Sequence, residues 1–147
     1  MKNNLMKPHF KVIIVLSIIF SYTTKLTAQT EHIGLWKGED LGDIGFFNFD
    51  SSGYAYIIFE EDTMGGDNFY MDEVLTTLKY EVSYSDSIHS IDLILYSVEG
   101  EFEMLRMLGI FMFNEKNSLV LCLNFDGYDR PESFVSDDTI ILHRMDE

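Results

Sequence analysis

Beyond residue 28 the chain carries three histidines, His32, His89 and His143, one cysteine, Cys122, and all 25 of its acidic residues. No two histidines stand at a metal-ligand spacing such as H-x-x-x-H. His143 alternates with Arg144 in an apolar terminal run and is expected at the surface. Cys122 lies within the apolar run 119–123 with no base or cation close in sequence, so it is expected as a buried thiol rather than a nucleophile. No G-x-S-x-G elbow, phosphate-binding loop or dinucleotide fingerprint occurs. On these grounds no catalytic residue and no cofactor is expected.

Carboxylates are the second set of candidates. Glu60-Glu61-Asp62 is followed by Asp67, Asp72 and Glu73, Asp126 and Asp129 flank Gly127-Tyr128, and Asp137-Asp138 form a pair. Calcium takes about six to eight oxygens from ordered loop positions. These clusters follow no such order and are read as solvated loops, with no metal site expected. Aromatic residues are the third set. Phe46, Phe47, Phe49, Tyr54, Tyr56 and Phe59 crowd one stretch, and Phe69, Tyr70, Tyr80, Tyr84 and Tyr96 follow. In a domain this small most of them fill the core. Tyr54, Tyr56, Phe59 and Tyr80 are the candidates for lining a pocket that takes a small apolar ligand.

The elements that must position these residues begin after an export leader. Lys2, Lys7 and Lys11 precede the apolar run 12–20, which is broken by Ser17; a polar stretch and the small residue Ala28 follow. That order is a secretory signal peptide, residues 1–28. Its apolar run falls well short of the roughly 20 residues that span a bilayer. Cys122 is the only cysteine, so no lipid anchor at the cleavage site and no internal disulfide is expected. The expected destination is the periplasm or the cell exterior. The chain of 147 residues has a formal net charge of −15, and the leader with Lys25 removes four of its ten basic residues. Six basic residues then face 25 acidic ones, a net charge of −19. Such a surface repels nucleic acid and anionic headgroups. The expected partners are a small apolar ligand or an envelope protein.

Residues 29–147 read as one all-β domain. Strand-like runs rich in β-branched and aromatic residues cover 35–37, 44–50, 54–60, 75–83, 90–96, 104–114, 118–124 and 139–145. Turn residues separate them: Asp50-Ser51-Ser52-Gly53, Met64-Gly65-Gly66-Asp67, Asn114-Glu115-Lys116-Asn117 and Asp126-Gly127-Tyr128-Asp129. Short strands with tight turns predict a single antiparallel β-barrel of about eight strands, since closure removes exposed edges.

The C-terminal half carries a linked pattern: Ile91-Asp92-Leu93, Gly109-Ile110-Phe111, Leu119-Val120-Leu121-Cys122, Arg130-Pro131-Glu132-Ser133-Phe134, and a final apolar strand ending His143-Arg144. Gly34-Leu35-Trp36 stands at the start of the domain. The order resembles a family of small bacterial exported lipocalin-like domains. The resemblance implies a lipocalin-like barrel and non-enzymatic binding of a small apolar or amphipathic ligand. Closure alone makes the first and last strands neighbours. Arg144 is then placed to cover Trp36, a cation–π contact of roughly 0.5–2 kcal/mol. Arg130-Pro131 presets a turn that lets Phe134 dock, and all five residues are read as structural. Two other functions remain open: an interaction module with a filled barrel, and an enzyme using acidic rim residues. A ligand carrier requires an apolar cavity on the order of a few hundred Å³; an interaction module requires a packed interior and a contiguous apolar patch.

Overall fold

Nine strands build the protein in a computed structural model that describes residues 30–40, 43–59, 62–114, 117–125, 128–135 and 137–145. The expected export leader of residues 1–28, Glu60 and Glu61, Glu115 and Lys116 of one turn, and Asp126 and Gly127 of another lie outside the described residues. His32–Glu147 forms one compact unit; of a second unit, Met1–Glu31, only a turn at Thr30 and Glu31 is described.

The strands are β1 (Gly34–Asp40), β2 (Asp43–Phe49), β3 (Ala55–Phe59), β4 (Asp62–Met71), β5 (Val74–Ser83), β6 (His89–Ser97), β7 (Phe102–Asn114), β8 (Ser118–Asn124) and β9 (Thr139–Arg144). They form a closed barrel in sequence order. Every neighbouring pair is antiparallel, including β1 with β9 through Trp36↔Arg144 and Gly38↔Leu142.

A ring of nine strands cannot alternate direction throughout unless one strand turns back, and β4 does so. Its first half pairs with β3 as far as Tyr56↔Gly65, and its second half pairs with β5 from Gly66↔Leu78 onwards. Gly65 and Gly66 both have positive φ, +118° and +90°. Below them β3 meets β5 directly: Tyr54 bridges Lys79 in antiparallel sense, and the Tyr80 amide donates to the Gly53 carbonyl at 2.9 Å. β4 is therefore a folded wedge in a barrel of otherwise even parity. Its tip needs glycine twice over. Side chains rarely adopt these φ values, and a Cβ on Gly65 would strike the Ala55 carbonyl, one on Gly66 the Tyr56 ring. The count of nine strands, against about eight from the sequence, comes from this wedge. Its Met64-Gly65-Gly66-Asp67 has turn chemistry, but inside a strand.

Alternate residues point inward. Trp36, Phe47, Phe49, Ile57, Leu78, Ile91, Leu93, Phe111, Leu121 and Leu142 belong to one buried cluster along the axis. β8 is buried on both faces: Leu119, Leu121 and Leu123 join that cluster, while Val120 and Cys122 are buried on the opposite face.

Arg130 latches residues 128–135 to the barrel. Its Nη2 lies 2.7 Å from Asp92 Oδ1, and its Nη1 donates to the Gly109 carbonyl at 2.6 Å. Asp92 also receives Arg106, which reaches Glu81 and Glu103 as well. Three separated pieces of sequence, Ile91-Asp92-Leu93, Gly109-Ile110-Phe111 and Arg130-Pro131, thus meet at one guanidinium. Pro131 and Phe134 are half-buried in the same segment.

Candidate functional site

The meander sends its loops to two ends. One end collects the start of β1, the β2–β3, β5–β6 and β7–β8 turns and the end of β9; the other collects the remaining loops. The first end is plugged. His32, 5 % exposed, lies among Phe49, Tyr80, Tyr84 and Phe111 with ring centroids 5.2–6.4 Å away. Trp36 Nε1 donates to the His32 carbonyl at 2.8 Å, and the Arg144 guanidinium stacks 4.3 Å from the Trp36 ring centre while donating to the Ile33 carbonyl at 2.9 Å. Tyr80 donates to the Asp50 carbonyl at 2.6 Å.

Burial shapes the titration of this plug. It holds the His32 pKa down to about 4, with the Arg144 charge adding to the effect. It pushes the Tyr80 hydroxyl up to about 12, helped by Asp50. His32 Nδ1 shares a 2.6 Å hydrogen bond with the Tyr84 hydroxyl, and its Nε2 is buried without a hydrogen-bond partner.

The second end opens into an apolar pocket and forms a mouth. Gly38 and Gly45 face each other across β1 and β2, on the inward side of both strands. With no side chains there, a cavity of about 80 Å³ remains, lined by Gly38, Gly45, Phe47, Ile57, Phe59, Met64, Phe125 and Ile140. Phe47, Ile57 and Ile140 are the buried floor; Phe59 and Phe125, 45 % and 48 % exposed, form the rim with Met64. A Cβ on Gly45 would sit 3.3 Å from the Phe59 ring, and one on Gly38 2.6 Å from Leu142. Among the described residues no titratable side chain lines this cavity, so the chemistry they offer is desolvation of an apolar group. A wider recess of about 680 Å³ lies against Lys37, Asn114, Ser118, Thr139, Ile141 and His143; its lining mixes charge, hydroxyl and aliphatic groups without a common chemistry.

Of the four aromatic candidates, the structure brings only Phe59 to the mouth pocket. Tyr80 belongs to the plug, 5.2 Å from His32 and 5.3 Å from Phe49. Tyr54 takes Asp50 Oδ1 on its amide. Tyr56 packs its ring over Gly66 on the outward side of β3, where desolvation, then Asp50, Asp67 and Tyr54, raise its pKa. The four do not share a cavity. Trp36 and Arg144 stack in the plug, and Arg130 holds the latch. Among the described residues no group of three His, Cys, Asp or Glu side chains is placed to hold a metal ion, and no helix is long and apolar enough to cross a membrane.

Sequence reasoning missed Gly38, Gly45, Met64, Phe125 and Asp92. The glycine pair had a signal, since the two stand symmetrically about the β1–β2 turn, as cross-strand partners must. Phe125 had none: it follows β8 in a loop and reaches the mouth through the path of the chain. Comparison of the chain with protein-family models, with curated proteins and with solved structures finds no match.

Proposed function

We propose that this is an exported, non-enzymatic binding module that works through its mouth and not through its interior. The carrying observation is the contrast in volume along one axis. A carrier that encloses an apolar ligand needs roughly 300 Å³ or more. The mouth pocket has about 80 Å³, and the axis beneath it is filled by Phe47, Ile57, Phe49, Leu93 and Trp36. The pocket therefore suits one apolar group of a larger partner. Export rests on the leader of residues 1–28, and the resemblance to exported lipocalin-like domains supports the same destination, the periplasm or the cell exterior.

Native mass spectrometry of the chain purified from its own host tests this reading. The expected result is the mass of the bare polypeptide. A stoichiometric adduct of lipid mass, lost on denaturation, would overturn it and favour the enclosed carrier.

A further inference from the structure

Resting on that reading, we infer that the occupant of the mouth is a basic amphipathic peptide segment of a partner protein. One apolar side chain enters the pocket between Phe59, Met64 and Phe125, and cationic side chains lie on the carboxylates around it.

Two independent features of the same end carry this. The first is apolar surface. Besides the pocket rim, Tyr70, Phe102 and Tyr128 are exposed on β4, β7 and the loop after β8. At about 80 Å³ the pocket is well below the roughly 300 Å³ at which sites that enclose a small molecule begin, so it suits one apolar side chain and not an enclosed acyl chain.

The second is charge. Asp62, Asp72, Glu73, Glu99, Glu101 and Asp138 are all exposed on loops or strand ends at the mouth. Asp62 pairs with Phe59 in register, which puts a carboxylate beside the rim. Asp138 lies two residues before Ile140 of the pocket floor, and its carbonyl accepts from Leu123 at 3.4 Å. Ion pairs among the described residues engage Glu81, Asp92 and Glu103 and none of these six. Two described cations lie between the latch and this end, and both are already held by carboxylates: Arg130 by Asp92, and Arg106 by Glu81, Asp92 and Glu103. Field lines from such a rim select cations and repel acidic peptides, nucleic acid and anionic bilayers.

Calorimetric titration of the exported chain with three synthetic decapeptides tests the inference. One alternates lysine with leucine and phenylalanine, one replaces the apolar residues by serine, and one replaces the lysines by glutamine. The first should bind at least about tenfold more tightly than either other, and its affinity should fall about tenfold as the salt concentration rises from about 50 to 500 mM. Phe59→Ser, and separately Asp62→Asn with Asp138→Asn, should each weaken it at least about threefold with an unchanged circular-dichroism spectrum. If Phe59→Ser does not fold, Met64→Ser serves in its place. Equal binding of the glutamine peptide would overturn the basic partner and leave the mouth reading standing. Equal binding of the serine peptide would overturn the role of the pocket. Binding of none would overturn the mouth reading itself.

Discussion

At the plugged end Trp36 is 1 % exposed, its indole N–H is bonded to a carbonyl, and an arginine covers its face. At the mouth Phe59 and Phe125 leave nearly half their surface in water around two glycines. Both ends draw on the same residue types. The difference lies in the polar anchors: Trp36, Arg144, Tyr80 and Tyr84 each tie a ring or its cover to a fixed partner, and the mouth rim has no such tie among its pocket-lining side chains. Apolar surface that is buried and anchored stabilises a fold. Apolar surface held in the open is stabilised only when something covers it.

The sharpest way to break that comparison is to truncate one ring at each end. Trp36→Ala should cost about 3–5 kcal/mol, as large core aromatics do. It also orphans the His32 carbonyl and removes the face that Arg144 covers. Urea unfolding followed by fluorescence-independent circular dichroism reads the loss. A cost no greater than that of Phe59→Ala would mean the plug is not the stabilising end.

Acid separates the ends next. His32 has a folded pKa of about 4 against 6.5 for a histidine in water, so the unfolded chain takes the proton first. Its contribution is complete above about pH 6.5 and is lost as pH falls towards 4, in total about 3 kcal/mol. Carboxylates titrate near the bottom of that window, so the comparison is with His32→Leu. The variant should lack the part of the pH slope between about 5 and 6.5. An identical slope in both proteins would show that His32 does not stay neutral in the plug.

The barrel was legible in the sequence because eight of its strands carry β-branched and aromatic runs bounded by turn residues. β4 was not: Gly65-Gly66 reads as a loop, and only the parity of closure requires a strand that reverses there. The plug was half legible. Trp36 and Arg144 follow from closure, whereas His32 precedes the first strand and enters the core through a tertiary route that no local pattern marks. The mouth was least legible. Phe59 is one aromatic among many along β2 and β3, and its role depends on the absence of side chains at Gly38 and Gly45 and on a loop residue, Phe125.

The latch lies between the two ends and sharpens the contrast at a smaller scale. Asp92 is 15 % exposed and Arg130 35 %, so their attraction is partly screened. A double-mutant cycle on Asp92→Asn and Arg130→Met should give a coupling of about 1 kcal/mol. Arg130→Met alone should cost more than the coupling, about 2 kcal/mol, because the Gly109 carbonyl also loses its donor. Equal values for the single change and the coupling would show that the carbonyl bond contributes nothing.

The smallest expected effect is the most diagnostic. Phe59→Ser removes a ring that is already 45 % exposed, so it forfeits only part of the burial energy of a phenylalanine, about 1 kcal/mol or less. Its inward neighbour Ile57 keeps the floor closed, and Gly45 opposite it has no side chain to be left unpacked. The same substitution is the one that should most weaken binding of a basic amphipathic peptide. A residue that matters little to unfolding and much to binding belongs to a surface kept open for a partner. If Phe59→Ser instead cost as much stability as Trp36→Ala in the same urea series, the ring would be a second plug, and the mouth would be closed in the working protein.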